Sequence, residues 1–202
     1  MNPEMLALFI PTILAVSLTP GMCMTLAFTV GLTQGYRRTL WMMAGEMLGV
    51  AVVVTTTVLL LAWLLALDPL YFRLLGLAGG CYLLWIAWRL WTAEEHFSAK
   101  RGGQQISRTQ LAILGLTTAV MNPKGWAFMV ALLPGFLDAE RSISQQLPVF
   151  LGVMLTTEFL SMSLYAAGGR WLGHILGQDK NLALLNKFAA LLMVVVSLLV
   201  FT

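Results

Sequence analysis

The sequence predicts an all-α, polytopic membrane protein, with six transmembrane helices arranged as two inverted three-helix repeats. Three observations predict it. Of 202 residues, 59% are hydrophobic and only 10% charged, far more apolar than a soluble domain of this length tolerates. Long apolar windows recur at roughly residues 5–32, 39–67, 70–91, 111–137, 147–172 and 182–202, each exceeding the roughly 20 residues that cross a hydrocarbon core about 30 Å thick. These runs of Leu, Val and Ala do not alternate as the strands of a β-barrel would. A single transmembrane domain over residues 1–202 follows.

The first window begins at "MNPEMLALF", which has no basic n-region and no small-residue cleavage site after it, so it reads as the start of a span and not as a removable signal. It contains "SLTPGMCM", with Pro20 and Gly21 near the midplane. The second span carries Glu46 in "MMAGEMLG", and the third ends in tryptophans and Arg89. The stretch "TAEEHFSAKRGGQQISRTQ", residues 92–110, is the longest polar segment; it separates a first repeat, about 1–91, from a second, 111–202. The fourth span contains "VMNPKGWA", with Asn122, Pro123 and Lys124, and the fifth carries Glu158 in "TTEFLSMS". The sixth closes the chain. Because each half has three spans, two similar halves lie in opposite orientations, the plan of many secondary transporters.

Charge sets the orientation. Arg37, Arg38, Arg89, Lys100, Arg101, Arg108, Arg170, Lys180 and Lys187 fall on one face, and only Arg73 and Arg141 on the other. The richer face is cytoplasmic by the positive-inside rule, which puts both termini on the outer side. The net charge of +3 therefore reports topology and calls for no nucleic acid. Trp85, Trp88, Trp91 and Trp171, near basic residues at helix ends, read as an interfacial belt in the lipid bilayer. Gly45 with Gly49, Gly76 with Gly80 and Gly169 with Gly173 give small-xxx-small packing faces, which leave a homodimer open. Cys23 and Cys81 lie in separate spans and predict no disulfide framework. His96 and His174 form no ligand-spaced cluster, so neither a metal nor a cofactor is expected.

The chemistry centres on the interrupted spans. Proline has no backbone donor and crowds the carbonyl four residues earlier, so Pro20 should free the carbonyl of Val16 and Pro123 that of Ala119. Hydrocarbon offers such groups no partner. Broken helices also point partial charges into the gap, positive at the N-terminal ends. Lys124 lies too deep for its side chain to snorkel out, and an unpaired lysine there costs about 3 kcal/mol or more. It should face the bundle interior and pair with Glu158, the acid at comparable depth; Glu46 sits closer to the cytoplasm. A purely structural ion pair, or prolines acting only as packing kinks, would be the plain alternative.

These residues resemble the LysE/RhtB amino-acid exporters of bacterial inner membranes over nearly the whole chain. The resemblance rests on "LTPG" at Leu18–Gly21, "QGYRR" at Gln34–Arg38, "AGGCYLLWIAWR" at Ala78–Arg89, "MNPK" at Met121–Lys124 and "LLPGFLD" at Leu132–Asp138. It implies a transporter, not an enzyme, that exports amino acids or related metabolites across the inner membrane by proton antiport. The chain departs from the family's usual pattern twice. Pro20 and Gly21 are followed by Met22 and Cys23 where the family commonly has proline and asparagine. The position after Gly49, often acidic in the family, is Val50, with Glu46 one turn earlier.

The expected mechanism uses Pro20, Gly21, Asn122, Pro123 and Lys124 to bind a small zwitterionic amino acid. Its carboxylate would lie near Lys124 and the helix start after Pro123, its ammonium near Glu158 or Glu46, the proton-coupling acids. Rocking of the halves would alternate access. Two other classes fit parts of the pattern: a passive facilitator or channel for zwitterions, and a membrane thiol redox protein using Cys23 and Cys81.

Overall fold

The computed structural model describes residues 3–19, 21–92, 106–138 and 141–176, with scattered positions between 184 and 198. Every regular element among them is helical: α1 (Pro3–Leu18), α2 (Met22–Gln34), α3 (Tyr36–Leu67), α4 (Pro69–Thr92), α5 (Arg108–Val120), α6 (Pro123–Leu132), a short 3-10 turn (Leu133–Gly135) and α7 (Ile143–Leu176). Tyr36–Leu64 and Ile143–Gly168 are each long and apolar enough to cross a membrane. The pair α1 and α2, bent by 56° at its break, makes a third crossing if counted as one span. The expected fourth window is likewise interrupted, into α5 and α6. The sixth window lies largely outside the described residues, as does the linker over 93–105. Described positions between 184 and 198 are helical and pack on α4, where Ala190 and Met193 meet Ala87 and the Ser197 hydroxyl donates to the Gly80 carbonyl at 2.9 Å.

The sequence writes the boundaries locally. Gly35 joins α2 to α3 at φ +80°, a left-handed conformation that glycine adopts without steric cost. Asp68 ends α3 extended, as a residue before proline must. Its carboxylate accepts the Leu70 N–H at 2.7 Å, and Pro69 occupies the first turn of α4. Ser107 and Gln110 close a capping box at the start of α5, with hydrogen bonds of 3.2 and 3.0 Å. Beyond α6 the chain turns over the N-terminal end of α7, held by buried Gln146, whose amide bonds Asp138 and Arg141 at 2.8–2.9 Å.

Two apolar clusters set the site's height. One gathers Phe9 and Ile13 with Val54, Val58, Leu61, Phe128 and Phe150; the other gathers Met24, Phe28, Met42, Met43, Leu111 and Met162. Between these clusters along the chain fall Ser17 at the end of α1 and Thr19 after it, Glu46 on α3, Asn122 and Lys124 at the α5–α6 break and Glu158 on α7. In lipid such packing is held by close contact and not by exclusion of water. The closest contact joins α3 to α5: a Cβ on Gly45 would strike the Ala112 backbone, and one on Gly115 the Met42 carbonyl. The expected packing role of Gly45 and Gly49 is thus met, Gly49 lying against Ala119 and Leu116. Gly31 of α2 likewise sits on the Ala166 backbone of α7. The packing of Gly169 and Gly173, and the side chain of Trp171, lie outside the described residues. Trp85, Trp88 and Trp91 are exposed; Arg89 lies over Trp85 at 5.2 Å and Lys187 over Trp91 at 5.6 Å, contacts suited to an interfacial belt.

Candidate functional site

The two interruptions face each other. At the first, α1 stops at Leu18, and Thr19 folds back so that its N–H and hydroxyl both donate to the Val16 carbonyl, at 3.1 and 2.6 Å. The Leu18 carbonyl accepts from the Tyr165 hydroxyl of α7 at 3.0 Å. At the second, the Ala119 carbonyl accepts the Asn122 N–H at 3.3 Å, and the Trp126 indole donates to the Val120 carbonyl at 2.7 Å. The expectation that Val16 and Ala119 would offer free carbonyls to a cation is therefore corrected. Local donors close them, as an environment without water requires.

The helix ends differ. Asn122 caps α6 by accepting the Lys124 N–H at 3.1 Å, with Pro123 in the first turn. Pro123 itself is exposed and does not line the cavity, so its contribution is to start α6 and not to touch a ligand. No side chain caps α2, whose N-cap is Gly21. The expected anion-attracting end after Pro123 is thus already capped, and the end with no side-chain cap is that of α2. Pro20 lies outside the described residues.

Between the breaks lies a cavity of about 90 Å³. Ser17, Thr19, Gly21, Cys23, Asn122, Lys124 and Glu158 supply its polar wall; Ile13, Val50, Val53, Phe128 and Met154 are among its apolar residues. Lys124 is half-buried, points into this space and donates from Nζ to the Thr19 hydroxyl. The Lys124–Glu158 ion pair expected from depth is not among the salt bridges of the described residues. Both residues line the cavity, and the ammonium is held by Thr19 across the opposing break.

Glu46 is fully buried and is not part of the cavity wall. Its carboxylate, that of Glu158 and the Cys23 sulfur lie within 4.8 Å of one another, a grouping able to hold a metal ion. Neither Glu46 oxygen has a hydrogen-bond partner. Asn122 Nδ2 donates to Cys23 Sγ at 3.4 Å, tying one break to the other. Cys23 and Cys81 are both free, one buried and the other exposed. Of the residues singled out in the sequence, Gly21, Asn122, Lys124 and Glu158 meet at one cavity, with Glu46 behind it. Thr19, Ser17 and Val50 are additional wall residues. Of these, Thr19 lies within "LTPG" and Val50 at the position where the family is often acidic; Ser17 carried no signal of its own.

The arrangement can hold a small dipolar solute, with a cation on one wall, a carboxyl on another and an apolar floor. The family model for LysE type translocators matches residues 14–202. A Salmonella typhimurium protein described as a homoserine/homoserine lactone efflux protein is 27% identical over 91% of this chain and 89% of its own length. A cysteine/O-acetylserine efflux protein of the same organism is 33% identical over 53% of this chain and 56% of its own. An uncharacterized membrane protein of Vibrio cholerae is 26% identical over 89% of this chain and 87% of its own. No solved structure matches the chain.

Proposed function

Because the chain belongs to the LysE type translocator family, we propose that it is a secondary transporter, not an enzyme, that exports small zwitterionic amino acids or related metabolites by proton antiport. The observation that carries this reading is the placement of Lys124 and Glu158 on one cavity without an ion pair between them. Opposite charges held apart by a cavity complement a molecule carrying both. Efflux names among relatives, for homoserine and for cysteine or O-acetylserine, support the substrate class.

The substrate carboxylate meets the Lys124 ammonium and the α2 N-terminus at Gly21, in place of the Thr19 contact. Asn122 and Thr19 supply hydrogen bonds beside it, and the substrate ammonium meets Glu158. A proton arriving from outside neutralises Glu158 and releases the ammonium outward; that proton then leaves to the cytoplasm, which restores the carboxylate. Glu46, within reach of Glu158 and shielded from the cavity, is the second coupling acid.

The architecture that serves this cycle is six spans in two inverted halves. Each half opens with an interrupted span, α1–α2 and α5–α6, followed by a long helix, α3 and α7. Two contacts have counterparts under that symmetry, α3 with α5 matching α7 with α1 and α2 with α7 matching α6 with α3, while α2 with α3 has no comparable one among the described residues. The chain sits in the bacterial inner membrane with both termini outside. The Arg38 guanidinium bonds the Ile106 carbonyl, so the first loop and the linker share one face, the basic one.

Proteoliposomes loaded with a panel of amino acids test this. Export should quicken when the receiving side is made acidic. Glu158→Gln and Lys124→Met should each slow it by roughly thirtyfold or more, the equivalent of about 2 kcal/mol from one lost buried charge contact. Flux that ignores the pH gradient would replace antiport by a passive facilitator.

A further inference from the structure

We propose that Cys23, Glu46 and Glu158 form a binding site for a zinc-class divalent cation at the wall of the cavity. The three side chains come from α2, α3 and α7, and their ligand atoms lie within 4.8 Å of one another. Glu46 makes the case more than proximity does. It is fully buried, places a carboxylate oxygen in this cluster, and neither of its oxygens has a hydrogen-bond partner. An unpartnered carboxyl in a dry interior is neutralised by a proton or by a bound cation. The substrate ammonium does not serve, because Glu46 stands behind the cavity wall. A bare metal ion can reach it, because Cys23 and Glu158 both line that wall.

The donor set selects the metal. Sulfur beside two carboxylates is a poor match for Mg²⁺ or Ca²⁺, which take oxygen ligands in sixfold or higher coordination. Zn²⁺, and Co²⁺ in its place, accept mixed sulfur and oxygen donors in tetrahedral sites. Bonds of about 2.3 Å to sulfur and about 2.0–2.2 Å to oxygen put tetrahedral ligands about 3.5 Å apart. Closing from the observed spread needs only rotation of the two flexible glutamate side chains. Three protein ligands leave a fourth position, which faces the cavity through Cys23 and Glu158. Asn122 Nδ2, donating to the Cys23 sulfur at 3.4 Å, is the outer hydrogen bond that steadies a ligating thiolate. Charge closes as well: a thiolate and two carboxylates are balanced by the cation together with the Lys124 ammonium on the same cavity.

The test is a binding measurement on the full chain purified in nanodiscs, which reads the site whether or not the chain exports amino acids. Co²⁺ is titrated as the probe and Zn²⁺ as the competitor. The expected result is one equivalent of Co²⁺ bound with a sulfur-to-cobalt charge-transfer band in the near ultraviolet, displaced by Zn²⁺ and not by Mg²⁺. The chain has only two cysteines, so the band's origin can be assigned. It should persist in Cys81→Ser and vanish in Cys23→Ser. Glu46→Gln, which keeps the thiol and the shape of the side chain, should keep a band but weaken binding at least about tenfold. No band in the folded native chain, a band that follows Cys81, or unchanged affinity in Glu46→Gln would each overturn the site and leave protons as the cluster's only cations. Efflux without Co²⁺ binding would sink this inference alone, and binding without efflux would sink the transport reading alone.

Discussion

Lys124 shows how far a depth argument reaches at the scale of one residue. A lysine about 20 Å from either end of an apolar run has few tolerable orientations, and the structure points it into a cavity. Glu158 is legible for the same reason. The contacts themselves are not: uncharged Thr19 holds the ammonium and uncharged Cys23 takes the Asn122 amide, and such residues are too common in spans to stand out. Val50 lines the cavity where the family often has an acid, while Glu46 lies off it, so Glu46 does not substitute for that acid in the wall. Asn122→Ala removes the cap of α6 and should cost about 1 kcal/mol, read as a lower melting temperature in detergent. Its export should fall further than that loss explains, because the link to Cys23 goes with it. Gly21→Ala sets a methyl 3.4 Å from Lys124 Nζ, tight against a side chain that can give way. It should leave melting within about 0.5 kcal/mol of the native protein and raise the substrate concentration for half-maximal efflux.

At the scale of elements, the breaks were visible as prolines in apolar runs, and Gly45 with Gly49 as a packing pair. Which helix they meet was not visible, since small-xxx-small spacing names a face and not its partner. The partner is α5, met through Gly115. The fate of the freed carbonyls was also beyond the sequence, because it depends on whether the chain folds back at Thr19 and Asn122. Gly45→Ala drives a methyl into the Ala112 backbone and should destabilise by about 1–3 kcal/mol or more. Gly152→Ala, with nothing within 4 Å of the added atom, should be neutral or stabilise by up to about 1 kcal/mol. Thermal unfolding of the two variants in one detergent compares them directly.

For the whole molecule, basic residues on one face and six apolar windows predict both termini outside. A periplasm-active phosphatase fused after Thr202 should be active and a fluorescent protein at the same point dark; the reverse pattern would remove either the span count or the orientation. What the sequence could not convey is how the halves interlock. Gly31 locks α2 to α7 and Gly45 locks α3 to α5, so each of these tight seams joins a helix from before the 92–110 linker to one from after it. The two sequence halves are thus not separate packing units. Among the described helices α6 packs on α3 and α4 and α1 on α7, while α3 also packs along α7 and α2. Glu158 lies on α7 and Cys23 on α2, with Glu46 on α3 and Lys124 on α6, so any sliding of α3 and α6 along α7 and α2 opens or shuts the gap between those charges. A disulfide staple across α2 and α7 should spare export, and one across α3 and α7 should freeze it.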